Sequence, residues 1–460
     1  MLTTTLGHIA AWTNGRLQGA DVAVRGLFTD TRKPQSGALF VALAGEKFDA
    51  HDFVGTAQQG GAAAALVARP LPIDLPQVVV GDTLRALGDI ARAVRSQQRA
   101  RVVGITGSNG KTTVKTLLAS ILALHGKTHV NAGNLNNEIG LPLSLLGMPA
   151  DVDYAVFEMG AGKPGDIAYL AAIARPEIGL VNNIAPAHLE RMGTLQGIAE
   201  TKGAIYSALP PHGVAVINAD DAFAAFFAQL AGARRVLRFG LDHPADVRGD
   251  IRALGAQSRF TLVTADEQVE ILLPLPGRHN VQNALAAAAL ALALGVPLAR
   301  IKQGLETAAP VSGRLIRHAT SGGWTLIDDS YNANPGSTMA AIATLVAEPG
   351  EAWLVLGDMR ELGADAARLH AQVGVYARER GIARLHTVGA LSAEAAQAFG
   401  AHAQHHADQA ALIAALRAEL RPGVRVLVKG SRGSAMERVV QALLGASNGH
   451  SGGGGERHAA

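Results

Sequence analysis

The 460-residue chain contains no cysteine, which excludes disulfides, thiol catalysis and zinc–thiolate centres. Aromatic residues make up only 4%, too few to build a stacking surface for single-stranded nucleic acid. Charged residues are also sparse at 17%, and the formal net charge of +3 comes from dispersed Lys and Arg rather than a dense basic run. Nucleic acid is therefore not expected as a partner, whereas small anionic substrates are compatible. Long apolar runs are missing too. The longest, Ala284 to Leu294, is too short to span a bilayer and reads as a buried helix, so no membrane insertion is expected. Met1-Leu2-Thr3-Thr4-Thr5 lacks the basic start and apolar core of a signal peptide, and the expected location is cytoplasmic.

Hydrophobic residues are abundant at 48%, enough for several cores filled by Ala, Leu and Val. The length implies two or three domains. The first segment mixes short strands such as Ala38–Leu43 with an Ala-rich helix around Val54–Ala64, and a connecting helix runs from Leu84 to Gln98. Apolar strands then alternate with helical patterns, the signature of a mainly parallel doubly wound α/β sheet. The strands expected there are Val102–Thr106, Tyr154–Glu158, Ile178–Asn182 and Val214–Asn218. Arg259–Thr264 and Val269–Leu273 flank Asp266-Glu267 as an antiparallel hairpin. A further βα alternation has strands Thr325–Asp328, Trp353–Leu356, Leu385–Val388 and Arg425–Val428, with helices Thr338–Ala347 and Ala366–Arg380 between them. The expected division is 1–82, 83–311 and 312–446, with a flexible Gly-rich tail over 447–460.

The chemistry is concentrated in Thr106-Gly107-Ser108-Asn109-Gly110-Lys111-Thr112-Thr113, which follows an apolar strand and opens a helix. Backbone N–H groups and a helix N-terminus converge there, which suits a phosphate. Lys111 adds a point charge for the β/γ-phosphates, and the Thr112 hydroxyl can hold Mg²⁺. The loop departs from the general phosphate-loop pattern: its early glycine position is Ile105, and that glycine has moved to Gly107. Ligands of open α/β sheets sit at the carboxyl ends of strands. Glu158 and His188 both fall at such ends beside the loop, making them candidate Mg²⁺ ligands. Read alone, Glu158 would be a helix-cap carboxylate and His188 a loop histidine.

The phosphate loop, with its shifted glycine, resembles that of the Mur ligases and folylpolyglutamate synthases, which join an acyl group to an amine using ATP. Further blocks place the likeness among the Mur ligases. They are Gly133–Pro142, Ala187-His188-Leu189-Glu190, Leu273–Asn280, Asp328-Asp329-Ser330-Tyr331-Asn332-Ala333-Asn334-Pro335 and Val428-Lys429-Gly430-Ser431. The blocks are similar to the branch that couples D-alanyl-D-alanine to UDP-N-acetylmuramoyl-tripeptide. The resemblance implies three α/β domains: a small N-terminal UDP-sugar domain, a central P-loop ATPase domain and a C-terminal Rossmann-like domain. It implies ATP and Mg²⁺ at two sites, an acyl-phosphate intermediate, and a monomer serving peptidoglycan precursor synthesis.

Residue roles follow from the same likeness. Residues Thr106 to Thr113 would cradle ATP, with Asn283 near the adenine and Arg314 and Asp329 reaching the nucleotide from the third domain. Thr112, Glu158, His188 and Lys202 would serve the metals, Lys202 as an N-carboxylated side chain. Lys111, Lys202, His188 and Glu158 form the expected catalytic set. Thr31, Arg32, Lys47, Asn134, Asn136 and Asn137 would contact the UDP-sugar. Tyr331, Asn332, Asn334, Lys429, Ser431 and Arg432 would form the D-alanyl-D-alanine pocket. Three other readings compete: a related ligase accepting a different amino acid or glutamate, a nucleotide-switched binding ATPase, and a non-catalytic sugar-nucleotide binder, against which the intact Gly110-Lys111-Thr112 and Glu158 argue. The switch has no use for Lys202 or the Ser330–Pro335 block. The third residue of the tripeptide stays open.

Overall fold

The computed structural model describes residues 2–45, 48–186 and 189–447, and the Gly-rich tail over 448–460 lies outside them. Three sheets carry the architecture. The N-terminal sheet has five strands in the order Arg16–Gln18, Gln77–Val79, Ala64–Val67, Leu39–Val41 and Leu27–Phe28. All its pairs are parallel except the first. Here the helix expected over 54–64 is shorter. It spans Val54–Gln59, stops at Gly60-Gly61 with Gly61 at φ +90°, and gives way to the fully buried strand Ala64–Val67. Alanine fits either element, so its run in this segment carried no period of its own.

The helix Thr83–Ser96 begins where the Asp82 carboxylate accepts from the Leu84 and Arg85 amides at 2.8 and 3.0 Å. Its Leu87 and Ile90 are wholly buried, each side chain contributing about 1.5–3 kcal/mol of apolar burial. That face packs on the helices Leu6–Thr13, Gly140–Leu146 and Asp166–Ala174. One continuous apolar core thus runs from Leu6 and Ile9 through Leu87 and Ile90 to Leu141, Phe157 and Ile205. The first two domains share it.

The central sheet has nine strands in the order Thr128–Val130, Tyr154–Glu158, Arg101–Thr106, Ile178–Val181, Val214–Asn218, Arg235–Gly240, Val247–Leu254, Ser258–Val263 and Gln268–Leu273. The first seven run parallel, and the last two add on through antiparallel pairings and include the expected hairpin. Arg235–Gly240 and Val247–Leu254 are additional strands, each interrupted by two arginines that break the apolar pattern. Arg101–Thr106 lies between Tyr154–Glu158 and Ile178–Val181, so the strand order reverses at its carboxyl end and opens a crevice there. On the far face the Ala-rich helix Arg278–Ala293 is buried nearly throughout and packs on Lys111–Ala123. The helix Leu298–Glu306 also crosses Lys111–Ala123, so closely that a Cβ on Gly304 would stand 2.4 Å from the Ile121 Cα.

The C-terminal sheet has six strands, ordered Ile316–Ala319, Thr325–Asp329, Val424–Lys429, Glu351–Gly357, Arg384–Val388 and Ala403–His406. All but the first pair are parallel, and the register sets Asp329 opposite Lys429 at the carboxyl end. Among the described residues no helix is long and apolar enough to cross a membrane.

Two stability predictions follow from this packing. Gly304→Ala should cost about 1–3 kcal/mol, because the new methyl meets backbone rather than a yielding side chain. Gly445→Ala, in the helix Glu437–Ser447 with open space around it, should be neutral or stabilise by up to about 1 kcal/mol. Urea midpoints compare the two. A third prediction concerns the edge of the C-terminal sheet, where His386 Nδ1 lies 3.1 Å from His406 Nε2 and the two rings stack. Burial lowers His386 to about 4. Between roughly pH 6.5 and 4 the unfolded chain therefore binds the extra proton. Stability should be fully present above that window and fall as the pH drops through it. His386→Leu should flatten the slope of melting temperature against pH between 6.5 and 4; an unchanged slope would remove His386 from the account.

Candidate active site

The strand Arg101–Thr106 is buried and apolar, and the chain leaves it through Gly107 at φ +144°. A Cβ there would stand 3.1 Å from the backbone nitrogen of Asn182 on the neighbouring strand end. Gly110, at φ +79°, is tighter still, since a Cβ would meet Asn283 Oδ1 at 2.3 Å and Asn182 Nδ2 at 2.5 Å. These two close approaches explain the shifted glycine pattern. The Thr106 hydroxyl donates to the Met159 carbonyl at 2.9 Å, and Ser108 Oγ donates to the Ala185 carbonyl at 3.0 Å. Asn109 is pinned by its backbone: its N–H donates to Asn183 Oδ1 at 2.9 Å, and its carbonyl accepts from Asn182 Nδ2 at 2.9 Å. Lys111 Nζ donates to the Gly107 carbonyl at 2.8 Å, and burial pushes its ammonium below the usual lysine value against the opposing pull of Glu158. Thr113 is buried in the first turn of the helix.

Glu158 ends the adjacent strand, 4% exposed. Thr112 Oγ1 donates to its Oε2 at 2.8 Å and Asn136 Nδ2 to its Oε1 at 2.9 Å, while Lys115 Nζ lies 3.3 Å from Oε2. Burial raises the carboxyl, but Lys111, Lys115 and these hydrogen bonds outweigh it and hold Glu158 below the ordinary range. Asn131 completes the support, accepting from the Glu158 N–H and donating to its carbonyl. Asn136 is therefore engaged with Glu158, while Asn134 and Asn137 line the cleft and Asn137 Oδ1 accepts from the Gly140 N–H at 2.9 Å. Lys115 belongs to none of the sequence motifs, and its spacing of one helical turn from Lys111 is the signal that marks it.

The third domain closes over this floor. Arg314 donates to Thr112 Oγ1 at 3.0 Å, and its guanidinium lies 4.6 Å from the Tyr331 ring centre. Arg314 Nε is buried without an acceptor among the described residues. Lys429 Nζ donates to Asp329 Oδ2 at 2.5 Å and to the Asn332 carbonyl at 3.0 Å. Burial raises the Asp329 carboxyl despite that ammonium. The same burial, aided by the Lys429 charge, brings His279 down to about 4.

Together these groups line a cleft of about 630 Å³ between the central and third domains. Ser108 to Thr113, Asn134, Asn136, Asn137, Glu158, Asn283, Arg314, Asp329, Tyr331, Asn332, Asn334, Lys429 and Arg432 all border it. Several expected residues behave differently. Both ends of the Asn283 amide are engaged within the protein, accepting from Asn182 Nδ2 and donating to Asn280 Oδ1. Ser431 is buried and donates to the Asp358 carbonyl at 2.6 Å, outside the cleft lining. The Lys429 ammonium is committed to Asp329. Asn334 caps the helix Pro335–Val346 and donates across the cleft to Asn109 Oδ1 at 2.7 Å. Thr31 and Arg32 are not part of the cleft wall, and Arg32 pairs with Asp30 at 2.8 Å on the surface. Lys202 is 1% exposed on the helix Leu195–Ser207, and burial together with the nearby Lys111 charge holds its amine well below the usual lysine value. Lys47 and His188 lie outside the described residues. Among those described, no three His, Asp or Glu side chains gather as metal ligands. Thr112 and Glu158 are the hard-oxygen pair beside the phosphate loop, and they fit a divalent cation carrying phosphate.

Comparison with known proteins agrees with this geometry. The chain matches the Mur ligase middle domain over residues 105–291 and the Mur ligase glutamate ligase domain over residues 313–432. It is 48% identical over 450 residues to a UDP-N-acetylmuramoyl-tripeptide–D-alanyl-D-alanine ligase of Escherichia coli strain K12, covering 96% of this chain and 99% of that one. It is 39% identical over 436 residues to the protein of the same name from Haemophilus influenzae, covering 92% and 94% of the two chains. Among solved structures, MurF from Acinetobacter baumannii superposes with a TM-score of 0.92 at 35% identity, covering 97% of this chain and 99% of that one. MurF ligase from Thermotoga maritima in complex with ADP gives 0.83 at 27% identity, covering 93% and 99%. This three-domain chain belongs to the Mur ligase family.

Proposed function

We propose that the protein is an ATP-dependent ligase that joins D-alanyl-D-alanine to UDP-N-acetylmuramoyl-tripeptide in peptidoglycan precursor synthesis, in the cytoplasm. One observation carries the reading: Arg314 of the third domain donates to Thr112 of the central domain, which itself donates to Glu158 beside Lys111. A carboxylate is a poor electrophile. Phosphorylation converts its oxygen into a leaving group, and that step is largely positioning and charge neutralisation. Lys111 leaves the Gly107 carbonyl for the γ-phosphate as the tripeptide carboxylate attacks phosphorus and ADP departs. The buried Arg314 Nε–H, which has no acceptor among the described residues, is suited to a phosphate oxygen. The amine of D-alanyl-D-alanine then attacks the acyl carbonyl, and phosphate is expelled. Closure of the third domain keeps water from the mixed anhydride.

Thr112 and Glu158 would hold Mg²⁺, which neutralises phosphate charge when bound. His188 and Lys202 belong to a second metal position in this reading. Burial and the nearby Lys111 charge hold the Lys202 amine well below the usual lysine value and so favour its neutral form, the form that adds to carbon dioxide and loses a proton to give an N-carboxylate. Asn134 and Asn137, which border the cleft, would touch the sugar-phosphate portion, and Thr31, Arg32 and Lys47 would serve the uridine end in this reading. Tyr331, Asn332 and Arg432 border the dipeptide space. Asp329 and Lys429 act as a pair that fixes the floor of the third domain, with Asp329 facing the nucleotide.

Lys111→Ala and Glu158→Gln should each lower kcat for D-alanyl-D-alanine-dependent phosphate release about a hundredfold to a thousandfold. Circular dichroism should find both variants folded. Chelation of divalent cations should abolish turnover, with recovery on adding Mg²⁺. Retention of wild-type coupling by Lys111→Ala would refute the reading. Release of phosphate with a single amino acid but not with D-alanyl-D-alanine would move the protein to a neighbouring specificity.

A further inference from the structure

We propose that Asn109 and Asn334 form a positioning clasp, a side-chain hydrogen bond between two domains that seats the acceptor-binding loop on the phosphate loop. The inference rests on the ligase reading above and extends it to how the dipeptide step is organised. Asn334 Nδ2 donates to Asn109 Oδ1 at 2.7 Å, joining residues 225 positions apart in the chain. Both partners are fixed before they meet. Asn109 is held through its backbone by the side chains of Asn182 and Asn183, so its N–H is already used and is not a phosphate donor. Its side chain remains to point across the cleft. Asn334 is fixed by a capping box: its Oδ1 accepts from the Ser337 N–H at 2.9 Å, its own N–H donates to Ser337 Oγ at 3.1 Å, and its carbonyl accepts from Thr338 Oγ1 at 2.8 Å. That leaves the Nδ2 group as its outward donor. A bond between two pre-oriented groups costs little further side-chain entropy.

Its position gives the bond a use. Tyr331 and Asn332 lie just ahead of Asn334 and border the space left for the dipeptide. The Arg314–Thr112 contact crosses the same gap, but both of those groups are wanted by nucleotide and metal. The asparagine pair uses neither of those two groups, which leaves it able to remain in place when the phosphate loop is loaded. It ties the acceptor loop to the floor on which the acyl phosphate forms. Asn334 is thus a positioning residue that acts through the loop it anchors, and not a dipeptide ligand.

The test separates these roles. Asn334→Ser keeps a good helix cap while deleting the amide donor, and Asn109→Ala deletes the acceptor. Each single variant should raise KM for D-alanyl-D-alanine about threefold to tenfold, the worth of one neutral hydrogen bond. KM for the nucleotide-sugar should move less than twofold. The double variant should be no worse than either single one, because both remove the same bond. Multiplying effects would overturn the clasp. So would a rise in KM for Asn334→Ser alone, which would make Asn334 a direct dipeptide contact. Small-angle scattering of the ADP-bound protein reads the clasp without turnover. Both singles and the double should be equally expanded relative to wild type, and identical profiles would overturn the proposal. If wild type released no phosphate with D-alanyl-D-alanine, the ligase reading would fail while scattering still decided the clasp.

Discussion

The site depends on one buried carboxylate kept charged. Glu158 sits buried at a strand end, where burial alone would favour its neutral form. Two lysines from one helix, Lys111 and Lys115, together with Thr112 and Asn136, reverse that preference. Removing a partner from such a cluster leaves a charge stranded in low dielectric, which is far costlier than losing an exposed pair. The strand order makes the arrangement possible. Arg101–Thr106 is flanked by Tyr154–Glu158 on one side and Ile178–Val181 on the other, so the phosphate loop, Glu158 and Asn182 emerge at one crevice.

The third domain repeats this logic with charges reversed in role. Lys429 and Asp329 face each other by sheet register and neutralise each other at the carboxyl end of their strands. The two floors meet through Arg314, stacked on Tyr331, and through the asparagine pair. Each floor is preorganised within its own domain, and only the contacts between them depend on domain position. Such an arrangement suits a reactive intermediate that must be shielded while a second substrate enters.

Much of this was legible in the residues. Apolar strands followed by helical periods marked both large sheets, and the hairpin around Asp266-Glu267 stood out by alternation. The phosphate loop, Glu158, Arg314 and Asp329, all singled out from the residues, border one cleft. What was not legible shares a physical cause: side-chain amides and hydroxyls do not announce their partners. Asn136, Asn283 and Ser431 read equally well as substrate contacts or as internal struts, and folding commits them to Glu158, Asn182 and the Asp358 carbonyl. Lys429 carried the same ambiguity until sheet register placed Asp329 beside it. Alanine obscured the N-terminal domain, where a strand resembled the continuation of a helix. The core shared by the first two domains was hidden for a related reason, since periodicity shows that a helix has an apolar face but not which neighbour covers it.

The central claim is that the cleft activates an acid by transferring phosphoryl to it. The most direct measurement follows the oxygen atoms. The tripeptide carboxylate is labelled with heavy oxygen, the nucleotide-sugar is coupled to D-alanyl-D-alanine with unlabelled ATP, and the released phosphate is analysed by mass. The account predicts that phosphate carries one labelled oxygen for each amide bond formed. Unlabelled phosphate, released while the amide still forms, would contradict it.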